Sequence, residues 1–253
     1  MIITGSALRH KPFMPMKSLL FFVVFLMISA AQAAEITGAW ALKTSEGDNG
    51  TLIINEAYLV MSKYDLAGKK FEYTEGGTYT VSNKTLTYVC EFNSADSTQV
   101  GLKSTWQGAV SGNLLTLSGD RGVFHFERID NAGHPMAGTW HITGRAQDGK
   151  GDLIRIHQKG TRKTLKILSA TRFQWVAIDP GVKGFYGTGG GTYTAKDGKY
   201  VEKIEFFSRD NSRVGAALDF GWKLENGRWD HSGKSSKGDP IHEVWEKVGT
   251  PAR

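Results

Sequence analysis

The amino-acid sequence predicts an all-β protein of two tandem antiparallel up-and-down β-barrels behind an N-terminal signal peptide. Three observations support this fold class: strand-like alternation without a long amphipathic helix, 31 glycines among 253 residues, and an internal repeat. Glycine at nearly twice its usual share and 11% aromatic residues argue against long helices, collagen and disorder. The single cysteine excludes a disulfide scaffold and a thiolate zinc site.

The first 33 residues have the organisation of a secretory signal peptide. Basic residues precede an apolar run from Ser18 to Ser29, and the small-residue sequence Ala31-Gln32-Ala33 follows it. The run is too short to cross a membrane comfortably, so we expect cleavage after Ala33 and no integral membrane span in the mature chain. This organisation predicts a periplasmic or secreted protein.

The charge balance gives no indication of a nucleic-acid partner. Three of the 31 basic residues lie in the signal segment, so the remaining chain, with 25 acidic residues, carries only a small positive charge. The one basic stretch contains Lys159, Arg162, Lys163 and Lys166 without a cluster of interleaved aromatic residues. We interpret it as a solvated loop that leads into a strand.

The mature chain repeats itself. A shift of 114 residues aligns positions 71–119 with positions 185–233 without a gap, and 15 of these 49 positions are identical. Chance would give about three identities. The strongest match aligns Thr74-Glu-Gly-Gly-Thr-Tyr-Thr80 with Thr188-Gly-Gly-Gly-Thr-Tyr-Thr194. The repeat predicts two similar modules, residues 35–130 and residues 136–250.

Within each module the hydrophobic pattern is that of short strands. Leu86, Tyr88, Cys90 and Phe92 form an apolar row that alternates with more polar neighbours, so Cys90 is interpreted as a small buried residue. Pairs such as Asn226-Gly227 favour tight hairpins because both residues accept a positive φ. We expect eight to ten strands in each module, closed into a barrel that leaves no exposed sheet edge.

Both modules open and end alike. Gly38-Ala39-Trp40 and Gly138-Thr139-Trp140 begin them, and Arg128 and Lys247 lie at their ends. This pairing resembles the lipocalin-type barrel signature, in which the cation lies across the tryptophan and closes one end of the barrel.

The second module further resembles an uncharacterised lipocalin-like (calycin-type) domain family of secreted Bacteroidetes-type bacterial proteins. The segments that carry the match are residues 166–175, 189–193, 204–215 and 231–245. The resemblance implies a β-barrel and export but no assigned reaction. The first module departs widely from the family pattern and is interpreted as a degenerate copy.

Positions at which the two copies differ identify candidate ligand-binding residues. Residues that build a barrel should stay similar in both copies, whereas residues that contact a ligand can be polar in only one. The second module is more polar than the first at five aligned positions, which are Arg172, Gln174, Arg209, Arg213 and His231. Arg172 and Gln174 share one face of a strand, because successive side chains point to opposite faces.

Two orientations of that face are open at this stage. If it points inward, Arg172, Gln174, Tyr193 and Glu205, together with Arg209, Arg213 and His231, would form a cavity for a small-molecule ligand such as a carboxylate, a lipid or a sugar. If it points outward, these side chains are solvated and Phe173 and Trp175 fill the barrel. The alternation itself turns Glu205 outward, where it would pair with a neighbouring arginine or lysine. Taken by itself, His231 is interpreted as a surface residue at a strand end, because its neighbours Asp230 and Ser232 point to the opposite face of the strand and cannot form a hydrolytic triad with it.

The leading functional hypothesis is non-catalytic binding of a small polar or amphipathic ligand in the second barrel. The histidines lack metal-ligand spacing and no catalytic set is recognisable, so neither a metal nor a cofactor is predicted. One alternative is an enzyme that acts on a glycan or another small substrate with paired carboxylates drawn from Glu205, Asp239 and Glu243. Another is an envelope protein-interaction module with a filled barrel.

Overall fold

The computed structural model of the protein describes residues 35–42, 49–56, 58–146, 152–156 and 160–249, and the predicted signal peptide, residues 1–33, lies outside them. The described chain consists of antiparallel strands with short 3₁₀ turns, which confirms the all-β prediction. Across these ranges no helix has both the length and the apolar character that a membrane span requires.

The first barrel is closed by eight antiparallel strands in chain order, with β8 pairing back to β1. The strands are β1 (Gly38–Leu42), β2 (Asn49–Ile54), β3 (Tyr58–Asp65), β4 (Lys70–Ser82), β5 (Thr85–Asn93), β6 (Lys103–Ser111), β7 (Leu114–Gly119) and β8 (Gly122–Asp130). Burial alternates along β5, where Leu86, Tyr88 and Cys90 point into the core. The expected burial of Cys90 is therefore confirmed, and this burial raises the pKa of its thiol.

The second barrel closes in the same way, through pairing of its first and last strands. The strands are β9 (Gly138–Ala146), β10 (Leu153–Arg155), β11 (Lys163–Leu168), β12 (Arg172–Asp179), β13 (Gly184–Lys196), β14 (Lys199–Phe207), β15 (Ala217–Glu225), β16 (Arg228–Lys234) and β17 (Pro240–Lys247). Both β10 and β11 pair with β9, at residues 144–146 and 138–141 respectively. Because β17 covers the other edge of β9, the two short strands together take the place that β2 has in the first barrel.

The sequence repeat is also a repeat of structure. Strands β3 to β7 begin 114 residues before strands β12 to β16, and the same offset separates the two 3₁₀ turns Ser97–Gln99 and Asn211–Arg213. Asp96 and Asp210 cap these turns by accepting a hydrogen bond from the backbone N–H two residues later. Each module therefore folds by the same local rules.

The repeated glycine motif allows two strands to approach closely at the same place in each barrel. The pairing of β4 with β5 shifts register between Gly76 and Gly77, and that of β13 with β14 shifts between Gly190 and Gly191. A Cβ atom on Gly77 would overlap the carbonyl oxygen of Val89, and one on Gly191 would overlap that of Lys203. Only glycine fits at these bulges, which accounts for the Gly-Gly-Thr-Tyr sequence in both modules.

A cation covers the first tryptophan of each barrel, as the resemblance implied. The Arg128 guanidinium lies 3.9 Å from the centroid of the Trp40 ring and donates hydrogen bonds to the carbonyl oxygens of Thr37 and Glu35. Lys247 Nζ lies 5.9 Å from the Trp140 ring. In both barrels the indole N–H donates to a carbonyl four residues earlier, so the ring is fixed from below as well as from above.

The two barrels pack against each other through a third apolar core. The first barrel contributes Ala39, Ile53, Tyr58, Val60 and Phe92, and the second contributes Leu165, Ile167, Val176 and Ile178. Two ring contacts cross the interface reciprocally: Phe71 with Phe206 at 6.1 Å, and Phe92 with Phe185 at 6.2 Å. Since Phe71 and Phe185 are repeat equivalents, as are Phe92 and Phe206, the modules meet about an approximate two-fold axis.

Candidate functional site

The interior of the second barrel is filled by its own side chains. Eleven buried residues pack there, namely Met136, Trp140, Ile142, Leu168, Phe173, Tyr193, Tyr200, Ile204, Phe220, Trp229 and Trp245. Tyr193 belongs to this core, and its hydroxyl donates to the carbonyl oxygen of Ser169. The candidate residue Tyr193 thus supports the wall of the barrel from within.

His231 also lies inside this barrel and is only 1% exposed, so its interpretation as a surface histidine at a strand end is wrong. Its ring packs against the Phe220 ring with centroids 4.1 Å apart, and Glu243 lies 3.6 Å from Nδ1. Among the residues that the structure describes, neither ring nitrogen finds a hydrogen-bond partner of good geometry. Burial lowers the pKa of this imidazole from 6.5, and the nearby Lys166 charge lowers it further.

A buried ion pair lies at the centre of the same barrel. Lys166 Nζ is 2.8 Å from Glu202 Oε1, which also accepts a hydrogen bond from the Tyr200 hydroxyl. Four aromatic rings surround the ammonium group, with Trp229 at 4.9 Å and Trp245 at 5.3 Å being the nearest. The expectation of a solvated loop and strand start is therefore wrong at Lys166, whose ammonium occupies the space that a ligand would need.

The first barrel is less tightly filled than the second. A cavity of about 20 Å³ lies between Leu52, Leu59 and Glu75, and a recess of about 90 Å³ opens beside Ile36 and Val81. The cause is side-chain size, since Leu86, Gly108 and Leu115 stand where the second barrel has Tyr200, Trp222 and Trp229. Both spaces are well below the roughly 300 Å³ at which small-molecule pockets usually begin.

The face that carries Arg172 and Gln174 points out of the second barrel, as the alternation with the core residue Phe173 requires. The first barrel covers this face at Gln174, which is 2% exposed, and leaves 20% of the Arg172 side chain exposed. The side-chain amide of Gln174 accepts from Ser62 Oγ at 2.6 Å and donates to Thr74 Oγ1 at 2.9 Å and Thr188 Oγ1 at 3.0 Å. Both earlier alternatives, a cavity lining and a solvated surface, are therefore wrong for Gln174, which joins the two barrels.

Glu205 lies on the same interface, and its predicted outward orientation and pairing with a basic residue are confirmed. Its carboxylate binds the Arg172 guanidinium, and Oε2 accepts a hydrogen bond of 2.9 Å from the hydroxyl of Tyr64 in the first barrel. Burial beside this carboxylate raises the pKa of Tyr64 to about 12, so the hydroxyl keeps its proton and donates. Arg172 and Glu205 thus neutralise each other's charge.

The two other candidate arginines stabilise loops. Arg209 is exposed and its guanidinium donates to the carbonyl oxygen of Tyr186. Arg213 forms an ion pair with Asp210 at 2.9 Å and donates to the carbonyl oxygen of Ser236. The seven candidate residues consequently occupy three separate places, namely the interior of the second barrel, the interface between the barrels, and the loops.

The three carboxylates that an enzyme would require do not converge. Glu205 lies outside the wall of the second barrel, between the two modules. Glu243 points inward, next to His231 and the indole N–H of Trp245. Asp239 is exposed in the turn before β17. A wall of the barrel therefore separates the two half-buried carboxylates, Glu205 and Glu243.

An open hollow of about 720 Å³ lies beside the hairpin that joins β15 to β16. Its lining is charged, but the charges pair with each other: Lys223 with Glu225 at 2.9 Å and Arg228 with Asp230 at 4.0 Å. Between 37% and 69% of each of these side chains is exposed. Such solvated pairs contribute little and do not form a preorganised site.

The space that best matches a ligand site is a groove of about 410 Å³ between the two barrels, which we call the inter-barrel groove. The first barrel lines it with Tyr58, Thr78 and Glu91, and the second with Thr139, His141 and Lys163. The Glu91 carboxylate and Lys163 Nζ are 2.8 Å apart, with 20% and 27% of their side chains exposed. The groove therefore combines a suitable volume with charged groups held in place by two rigid walls.

Two further polar atoms of this groove are buried and poorly satisfied. The Tyr58 hydroxyl is close to Glu91, yet it completes no hydrogen bond of good geometry among the described residues, and neither does His141 Nε2. Tyr58 is 3% exposed, and burial raises the pKa of its hydroxyl well above 10.0. Buried polar groups of this kind are normally paired in a native structure, and a bound ligand can supply the partner.

The inter-barrel groove is the repeat counterpart of the Glu205 ion pair. Glu91 aligns with Glu205, and Tyr58 aligns with Arg172, in the two copies. On one side of the approximate two-fold axis the Arg172 side chain therefore binds the glutamate. On the other side Tyr58 supplies no cation, and the groove lies in front of Glu91.

The sequence offered only part of the signal for this site. A glutamate in both copies indicated a repeated pairing role, but nothing local connected Glu91 with Lys163, which lies 72 residues further along the chain. Lys163 was assigned to the solvated basic stretch. The sequence does not tell which outer faces of the two barrels pack against each other, and this packing is what brings Glu91 and Lys163 together.

Comparisons with known proteins add no family to these observations: no family model matches the chain, and no curated protein matches it significantly.

Proposed function

We propose that this is an exported, non-catalytic binding protein, and that it holds a small polar or amphipathic ligand in the inter-barrel groove. The observation that carries the proposal is the 410 Å³ groove, which the Glu91–Lys163 pair lines and whose wall contains the buried, unsatisfied Tyr58 hydroxyl and His141 Nε2. The ligand site thus moves from the second barrel, where the sequence had located it, to the junction of the modules.

Three physical arguments support this assignment. Ligand sites occur preferentially at domain junctions, where two rigid walls enclose a cleft. The groove is lined by few polar groups and by apolar side chains such as Leu165 and Val248, the composition that ligand pockets usually have. Within the part of the second barrel that the structure describes, the interior offers no comparable space, because aromatic rings and the Lys166–Glu202 pair fill it.

Export is the part of the proposal that rests on the sequence alone. The basic, apolar and small-residue regions of residues 1–33 support cleavage and transfer across a membrane. The resemblance to a lipocalin-like family of secreted bacterial proteins agrees with export, and the closed eight-stranded barrel of the first module has a compatible architecture.

A groove-filling variant tests the proposed function. Thr78 is half-buried on β4 and lines the groove, so Thr78→Trp should occupy it. The matched control is Thr192→Trp, at the repeat-equivalent, half-buried position on the Arg172 side. Native mass spectrometry of the exported protein, purified without refolding, should show an additional mass on the parent and on Thr192→Trp, and none on Thr78→Trp.

The readout separates binding from folding. Circular dichroism should show that both variants keep their β-structure. The proposal is overturned if Thr78→Trp retains the additional mass, or if the parent carries none and shows no thermal shift with a panel of amphipathic acids, amines, amino acids and sugars. In the latter case the interaction-module hypothesis becomes the better explanation of the filled second barrel.

A further inference from the structure

The charge arrangement of the inter-barrel groove restricts the ligand. Glu91 and Lys163 contribute one negative and one positive charge, 2.8 Å apart. An anion that approaches Lys163 also meets Glu91, and a cation that approaches Glu91 also meets Lys163. A molecule with a single charge therefore gains little, whereas one with two opposite charges at close spacing can satisfy both side chains.

An α-amino acid has this spacing. One carbon atom separates its ammonium group from its carboxylate, so its two charges lie about as close together as those of the Glu91–Lys163 pair. The two pairs can lie antiparallel, with the ammonium group on Glu91 and the carboxylate on Lys163. Charge-assisted hydrogen bonds then form at both ends of the ligand.

The unsatisfied atoms of the groove fit the same orientation. The Tyr58 hydroxyl lies beside Glu91 and can accept from the ligand ammonium, which has three donors. His141 Nε2, which has no hydrogen-bond partner among the described residues, can donate to the carboxylate as the appropriate tautomer. The α-amino acid head thus supplies partners to both buried atoms.

Glu205, the repeat equivalent of Glu91, shows which groups bind a glutamate at this position of the barrel. There, Glu205 takes a guanidinium from Arg172, on the strand position equivalent to Tyr58, and a hydroxyl donor from Tyr64 across the interface. At Glu91 the donor across the interface is Lys163, while a cation from the same barrel is absent because the residue equivalent to Arg172 is Tyr58. The ammonium group of the ligand takes the place of the Arg172 guanidinium.

The remaining lining selects the side chain of the ligand. Leu165, Pro180 and Val248 form the apolar part of the groove. Burying an aliphatic side chain against them is favourable because it removes apolar surface from water. We propose that the inter-barrel groove binds a zwitterionic α-amino acid with an aliphatic side chain. This inference rests on the proposed function, since it names the ligand class of the same site.

Calorimetric titration tests the ligand class with three probes that share one aliphatic chain. L-Leucine carries both charges, 4-methylpentanoate lacks the ammonium group, and 3-methylbutylamine lacks the carboxylate. L-Leucine should bind at least tenfold more tightly than either analogue, the factor that the loss of one charge-assisted hydrogen bond implies. Glu91→Gln and Lys163→Met should each weaken L-leucine binding by a similar factor.

The control is Glu205→Gln, which changes the equivalent carboxylate on the filled side and should leave the affinity for L-leucine unchanged. Circular dichroism and the unfolding midpoint verify that each variant is folded. Equal affinity for the three probes, or equal weakening by Glu91→Gln and Glu205→Gln, overturns the inference.

The two proposals fail separately. If a mass lost from Thr78→Trp is present but L-leucine does not bind, the ligand class is wrong and the groove remains a binding site. If native mass spectrometry shows no bound mass and calorimetric titration shows no binding of any member of the ligand panel, both proposals are wrong.

Discussion

Replacing Lys166 by methionine should destabilise the second barrel more than replacing its partner Glu202 by glutamine. Both side chains are buried, with 6% and 5% exposed respectively. Lys166→Met leaves the Glu202 carboxylate in the core with only the Tyr200 hydroxyl as a hydrogen-bond donor. Removal of one partner of a buried ion pair costs about 3–5 kcal/mol, because the other charge remains uncompensated.

Glu202→Gln leaves the buried Lys166 ammonium better stabilised than Lys166→Met leaves the buried Glu202 carboxylate. The four aromatic rings within 5.9 Å still face the Lys166 ammonium, and a desolvated cation–π contact contributes about 2 kcal/mol. The glutamine carbonyl also continues to accept a hydrogen bond. We therefore expect a loss of about 1–2 kcal/mol, the size of one weakened hydrogen bond to a charged group.

Urea unfolding measures the difference. With an m value of about 2 kcal/mol/M, Lys166→Met should lower the midpoint by about 1.5–2.5 M and Glu202→Gln by about 0.5–1 M. The double variant should be more stable than Lys166→Met alone, because it contains no unpaired buried charge. The reasoning is refuted if Glu202→Gln costs as much as Lys166→Met, or if the two losses add in the double variant.

Three further predictions concern the interface, the buried histidine and the repeated bulge. Gln174→Val should reduce the free energy of unfolding by about 1–3 kcal/mol, because the hydroxyl groups that Gln174 joins across the interface lose a partner. In the same urea titration, the control Gln107→Val, at an exposed position, should change the free energy of unfolding by less than about 0.5 kcal/mol. Burial lowers the folded-state pKa of His231 from 6.5, so the contribution of this residue to stability is complete above about pH 6.5 and declines as the pH falls below that value. A His231→Phe variant should therefore show an unfolding midpoint that depends less on pH between about 7 and 5. Parallel curves for parent and variant would contradict this assignment. Gly77→Ala should lower the free energy of unfolding by more than about 3 kcal/mol, because its Cβ atom would overlap a backbone carbonyl. The control Gly108→Ala should change it by less than about 1 kcal/mol, because the nearest neighbour of its Cβ atom lies at 3.6 Å. If thermal unfolding shows Gly108→Ala to be the more harmful variant, the bulge tolerates a side chain.

The fold could be predicted because its determinants are local. The alternation of Leu86, Tyr88 and Cys90 defines an inward face, and the repeated glycines mark the places where strands must approach closely. Both signals lie within a few residues and recur 114 positions later, so one module supports the assignment of the other.

The candidate site could be predicted only in part, because it depends on how the barrels pack. Periodicity correctly turned Glu205 away from the core residue Ile204 and predicted a basic partner. It could not show that Gln174 would meet Ser62 and Thr74, since no local pattern distinguishes an outer face covered by another barrel from one covered by water. An apolar outer residue, such as Val60 at the position equivalent to Gln174, was the available indication.

The reciprocal stacking of Phe71 on Phe206 and of Phe185 on Phe92 describes a surface with which one barrel could pair with its own copy. In such a homodimer every substitution appears at both grooves at once, so the two sites cannot differ. Fusion of two copies into one chain removes that constraint. One glutamate can then receive an arginine from its own barrel while the other faces an open groove, so the two halves of one chain can differ at equivalent positions.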